Sequence, residues 1–117
     1  MTVNDIQKIL GARFLTKDND VEKEVHTACG ADMMSDVLAF VKNQSVLLTG
    51  LVNPQVVRTA EMMDMVCIVF VRGKDPDDSI IDLAEAKGIT LMKTDYRMFT
   101  ACGLLYDNGL RGGCENG

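Results

Sequence analysis

Apolar residues run along this chain in two rhythms. Short continuous apolar runs read as strands buried on both faces, and spaced stripes that follow them read as helices with one inner face. Val3, Ile6, Ile9 and Leu10 form the first stripe. Thr2-Val3-Asn4-Asp5 fits a capping box before it, and Gly11 stops it. Arg13 to Thr16 predicts a short edge strand, and Lys17 to Lys23 a charged turn. Glu24 to Cys29 predicts a strand with Val25, Thr27 and Cys29 on one face and His26 and Ala28 on the other. A helix follows Gly30-Ala31-Asp32, with Met34, Val37, Leu38 and Val41 as its buried stripe.

From Ser45 the alternation becomes regular. SVLLT predicts a strand, and Asn53-Pro54 opens a helix with Asn as cap and Pro in the first turn. Val56, Val57, Ala60 and Met63 form its inner face. Val66 to Val71 is the most strongly β-forming run, and so predicts a central strand. Asp77 or Asp78 caps a helix with Ile80, Leu83 and Ala84 inward, and Gly88 ends it. Thr90 to Lys93 is the next strand. Asp95 is the expected cap of a last helix with Met98, Cys102 and Leu105 inward. Repeated strand–loop–helix units predict a single three-layer α/β domain. Its sheet is mainly parallel, with four or five strands and helices on both faces. The loops after Leu48, Val71 and Met92 then gather on one sheet edge, where such folds bind ligands. Residues 1–107 form the domain, and the glycine-rich residues 108–117 are expected to be a flexible tail.

Composition narrows the function. With 117 residues and 47% hydrophobic positions, one small core is expected, and association with a second copy would add to its marginal stability. Aromatics are 5% and Trp is absent, so the core is aliphatic plus some of the eight Met. Met33, Met34, Met62, Met63 and Met65 cannot all point inward at helical spacing; some are expected at a subunit contact. The net charge of -5 argues against nucleic-acid binding. No apolar run is long enough to span a bilayer and no secretory leader opens the chain. Together with four cysteines that form no C-x-x-C pair, these features predict a reduced, cytoplasmic protein.

Candidate chemistry sits at the gathered loops. Thr49, Gly50 and Asn53 mark a strand end that opens a helix, where backbone N–H groups attract anions. Capping by Asn53 and turning by Gly50 explain the same residues. Arg72, Gly73 and Lys74 end the central strand; the two cations either hold an anionic ligand or pair with Asp75, Asp77 and Asp78. The P-loop spacing is absent. Thr94 and Asp95 close the third loop, where Asp95 is either a cap or an acceptor for a ribose hydroxyl. No metal is expected, since His26 is the only histidine and the acidic run lacks an EF-hand continuation. Cys67 and Cys102 read as buried small hydrophobes, leaving Cys114 as the expected exposed thiol.

LLTGLVNPQVV, IVFVRGKDPDDSIIDLAEAKGITLMKTDY and MFTACGLLY, with GADMMSDVLAFV before them, resemble the DRTGG domain family. That family pattern has a strand ending in T-G-D-R, a second ending in T-G-G, an L-A-E-x-x-G-I helix and a strand ending in T-D. Here Leu51-Val52 stands in place of Asp-Arg, and Val71-Arg72-Gly73 in place of T-G-G, while Gly50 and Gly73 are kept. The resemblance implies a non-enzymatic regulatory or assembly module. It would be a homodimer that binds a nucleotide or phosphate-like ligand at Thr49, Gly50, Asn53, Arg72, Gly73, Lys74, Thr94 and Asp95. It also implies a metabolic or redox enzyme partner, in an anaerobe's hydrogenase or acetyl-phosphate metabolism. The alternative is an enzyme acting on a phosphorylated or acyl metabolite, with Arg72 and Lys74 as an anion clamp.

Overall fold

The computed structural model describes residues 1–40 and 44–112. Among the described residues the elements follow in chain order: α1 (Val3–Leu10), β1 (Arg13–Phe14), β2 (Thr27–Gly30), α2 (Met34–Phe40), β3 (Ser45–Thr49), α3 (Pro54–Met62), β4 (Cys67–Phe70), α4 (Asp78–Ala86), β5 (Thr90–Lys93) and α5 (Met98–Asp107). The sheet order is β1-β5-β4-β3-β2. β2, β3, β4 and β5 run parallel, and β1 joins β5 antiparallel. β4 is central, as its β-branched run predicts.

Side chains of the inner strands alternate between two cores. Val46, Leu48, Cys67, Val69 and Met92 face a layer made by α1 and α5. Leu47, Ile68, Phe70 and Leu91 face α2, α3 and α4. Every residue of β3 and β4 is buried, the signature of a sheet covered on both sides. The architecture is therefore the expected αβα sandwich.

Local signals set most boundaries. The Thr2–Asp5 capping box forms, and Gly11 closes α1 in the left-handed conformation. Asn53 Oδ1 accepts from the Val56 N–H at 3.2 Å, with Pro54 in the first turn. Asp77, not Asp78, caps α4. The hydrogen bonds that the Asp77 carboxylate accepts, first from Ser79 and then from the Ile80 N–H, hold its pKa below the ordinary value.

Several expectations need correction. β2 begins at Thr27, and Val25 packs with Ala28 in the α1/α5 core rather than sharing a face with Cys29. Leu38 is 43% exposed, because Val37 alone carries the full burial of that turn; Val41 lies outside the described residues. Asp95 does not cap α5. The cap position is Arg97, without a side-chain hydrogen bond, because the chain makes one more turn before the helix starts. Within the expected tail, Leu110 is 5% exposed and the Arg111 carbonyl accepts from the Ala28 N–H on the outer edge of β2, while residues 108, 109, 111 and 112 are exposed. Residues 113–117, with Cys114, lie outside the described residues.

Asn53→Ala removes the acceptor that closes α3. It is expected to cost about 1 kcal/mol and to lower the thermal midpoint by roughly 4–8 °C for a domain near this size, measured by circular dichroism melting.

Candidate functional site

Adjacent parallel strands whose following helices leave to opposite faces open a crevice between them. Here that happens once. β4 leads into α4 in one helical layer, and its neighbour β5 leads into α5 in the other. The β2, β3 and β4 crossovers all use the same layer, so the carboxyl ends of β4 and β5 are the topological switch point. These are the loops that carry Arg72, Gly73, Thr94 and Asp95.

The loops are joined by their backbones. The Arg72 N–H donates to the Tyr96 carbonyl and the Gly73 N–H to the Thr94 carbonyl, both at 2.8 Å. Arg72 and Gly73 have positive φ of 60° and 65°, and the Lys74 N–H returns to the Val71 carbonyl at 3.3 Å. Two successive positive-φ residues closed this way form a turn of the I′ kind, which favours glycine or asparagine. An arginine there is strained by roughly 1–2 kcal/mol. The turn throws the Arg72 side chain back across the neighbouring loop. Its Nη2 lies 2.7 Å from where a Cβ on Gly50 would stand. Gly50 thus clears room for the guanidinium, and Gly73 approaches the Asp95 carboxylate, whose Oδ1 would lie 3.0 Å from a Cβ there.

The third loop is anchored from below. Thr94 is buried, and its hydroxyl donates to the Leu10 carbonyl at 2.8 Å. A hollow of about 280 Å³ lined by Leu10, Gly11, Thr94, Asp95 and Tyr96 opens beside it. A larger hollow, of about 350 Å³, lies at the opposite end of β5 near Thr16, Lys17 and Glu85. Part of its polar lining is already used: Glu85 accepts from the Lys17 N–H, and the Thr16 hydroxyl binds Asn19 and the Leu91 N–H.

The structure thus brings together Gly50, Arg72, Gly73, Thr94 and Asp95, with Thr49 directly beneath. Asn53 stays at the start of α3, occupied as its cap. Lys74 is exposed and is in no ion pair among the described residues. The acidic run does not neutralise the two cations. Asp75 pairs with Lys93 at 2.6 Å and Asp77 caps α4, while the Arg72 guanidinium has no ion pair or hydrogen bond among the described residues.

One participant was missed from the sequence. Asp32, in the loop after β2, accepts from the Gly50 N–H at 2.7 Å and from the buried Thr49 hydroxyl at 3.1 Å. The backbone donor expected to hold an anion is therefore held by the chain's own carboxylate. The Gly50 N–H is thus engaged by Asp32, and Arg72 is a rim cation in no ion pair among the described residues. The available signal was positional: Asp32 follows a parallel strand at the same sheet edge.

Among the described residues, no three His, Cys, Asp or Glu side chains converge as a metal cage would require. No described helix is long and apolar enough to cross a membrane. Burial pushes the Cys67 thiol up to about 12 and raises Cys29 and Cys102 above their ordinary value. Cys102 is half-buried rather than fully inward, with its Sγ against Gly30.

The DRTGG domain model matches residues 5–107. The chain belongs to the DRTGG domain family. No curated protein matches it. Its fold is similar to the solved CBS and DRTGG domains of the regulatory region of Clostridium perfringens pyrophosphatase, complexed with activator, diadenosine tetraphosphate. The TM-score is 0.72 at 20% identity, over 89% of this chain and 45% of that one. This DRTGG chain thus spans about half of that regulatory region. Arg72, where this chain departs from the family pattern, lies against Gly50, the residue before the Leu51-Val52 departure.

Two outcomes follow from this geometry. Arg72→Gly is expected to raise stability by about 1 kcal/mol, because glycine meets the positive φ without strain; denaturant unfolding checks it. Native Cys67 is expected to resist iodoacetamide at pH 8, because burial both shields the thiol and pushes it up to about 12, and to react fully in urea, as read by peptide mass mapping.

Proposed function

We propose that this DRTGG domain is a regulatory module that self-associates and binds a phosphate-bearing, nucleotide-like ligand at the β4–β5 switch point. The observation that carries this reading is the Arg72 guanidinium, unpaired among the described residues and held over Gly50 by a strained turn between three converging loops. Strain of this kind persists only where the surroundings enforce it, and an arginine fork suits phosphate oxygens. Asp32 and Asp95 stand as acceptors for hydroxyls, as on a ribose, and the hollow beside Tyr96 offers room for an apolar or aromatic portion. The similar regulatory region that carries a dinucleotide polyphosphate activator supports a ligand of this class.

Regulation would follow from connectivity. Thr94 to Arg97 forms one wall of the crevice and runs directly into α5, so ligand contact there biases the position of α5 against whatever covers it. A metabolic or redox enzyme is the partner class in this reading. The enzymatic alternative needs Arg72 and Lys74 to act as one clamp. The geometry directs Arg72 to Gly50 and gives Lys74 no shared contact with it.

Thermal-shift and calorimetric titration with diadenosine tetraphosphate, ATP, pyrophosphate, acetyl phosphate and adenosine tests the reading. A nucleoside polyphosphate is expected to stabilise the protein by several kcal/mol at about a thousandfold excess over Kd. Arg72→Ala should weaken it at least tenfold, and Asp32→Asn, which keeps an acceptor but removes the charge, should tighten phosphate binding. Absence of stabilisation by every compound would overturn the proposal.

A further inference from the structure

α5, with the sequence MFTACGLLYD, has a single charged residue, Asp107, at its last position. Its inner side is Ala101 and Leu105. Its outer side presents Phe99, Gly103 and Tyr106, spaced i, i+4 and i+7, so they share one face. Phe99 is 89% exposed, and a Cβ on Gly103 would meet no atom within 4 Å. A helix that is apolar all round belongs between two layers, not at a water boundary. Glycine in a helix interior is disfavoured, and nothing within the subunit needs the space that it leaves. Tyr106 is held ready. The Arg111 guanidinium lies 3.8 Å over its ring, and Arg111 Nη1 donates to the Tyr106 carbonyl at 2.6 Å.

The charges at the ends of α5 identify the occupant. Arg97 stands at the start and Asp107 at the end; both are exposed, and neither is in an ion pair among the described residues. We infer that α5 is the face through which two copies of this chain associate, crossing antiparallel with Gly103 at the two-fold axis. That axis sets Phe99 opposite Asp107 and Tyr106 of the other copy. Arg97 then falls about two residues, or roughly 3 Å of helix rise, from the facing Asp107, within reach of its side chain. The pattern is self-complementary, as an isologous interface requires. Antiparallel packing also sets opposite helix dipoles side by side. Gly103 lets the two backbones approach, and the four large rings fill the flanks. This rests on the self-association part of the proposed function and is independent of the ligand. It also joins the two, since the crevice loop Thr94–Arg97 enters the same helix.

Sedimentation equilibrium of the full chain tests it. The wild type is expected at twice 12.8 kDa. Phe99→Glu should be monomeric. Gly103→Leu should also be monomeric with unchanged helical circular dichroism, which a folding defect would not give. Met62→Glu, at an exposed site on α3 in the other layer, should stay dimeric. Arg97→Asp and Asp107→Arg should each weaken association about tenfold, and the double exchange should restore it. A wild-type monomer at every concentration would overturn self-association altogether. A dimer that survives Phe99→Glu, or is lost in Met62→Glu, would overturn only the choice of face. Failure of the charge exchange to restore association would overturn the antiparallel crossing.

Discussion

A parallel sheet has two apolar faces, and both must be kept from water. In this chain β2, β3, β4 and β5 are laid side by side in sequence order, with α2, α3 and α4 all on one face. That arrangement by itself would leave Val46, Leu48, Cys67, Val69 and Met92 bare. The chain covers them by sending its last helix, α5, to the other side and laying α1 beside it. The antiparallel β1 then borders β5, continued by Leu15 donating to the Leu91 carbonyl. The crevice between the ends of β4 and β5 is a geometric consequence of that change of side.

The same constraint explains why the loops at the crevice are rigid. Arg72 and Gly73 are stapled to Tyr96 and Thr94, and Thr94 is fastened to the end of α1 through the Leu10 carbonyl. Both helical layers therefore meet the rim. With the Gly50, Arg72 and Gly73 backbone donors engaged, the rim offers side chains: the Arg72 guanidinium against Gly50 and the Asp32 carboxylate on the Gly50 N–H.

α5 has two duties. Its inner side closes the core, while the outer side remains apolar around Phe99. Met62 is 70% exposed and Met33 65%, whereas Met65 is buried, so the methionines divide between core and surface. The aromatic and glycine stripe on α5 differs from those scattered methionines in having charges of opposite sign at its two ends.

The order of strands and helices, the central place of β4, the caps at Thr2, Asn53 and Asp77 and the family were legible in the residues, because each rests on local chemistry: apolar periodicity, a side-chain acceptor at a helix start, a proline in a first turn. The partners of side chains were not. Asp95 looks like a cap, and only the extra turn before α5 moves that position to Arg97. Asp32 holds a donor 18 residues away, and Leu110 reaches the core from a segment whose composition reads as loose. Arg72 could have met the acidic run beside it; a left-handed turn sent it to Gly50 instead. Short-range preferences decide which elements form and in what order. Which groups finally touch depends on strand register and on the side of the sheet that each helix takes, and those are settled only when distant segments pack together.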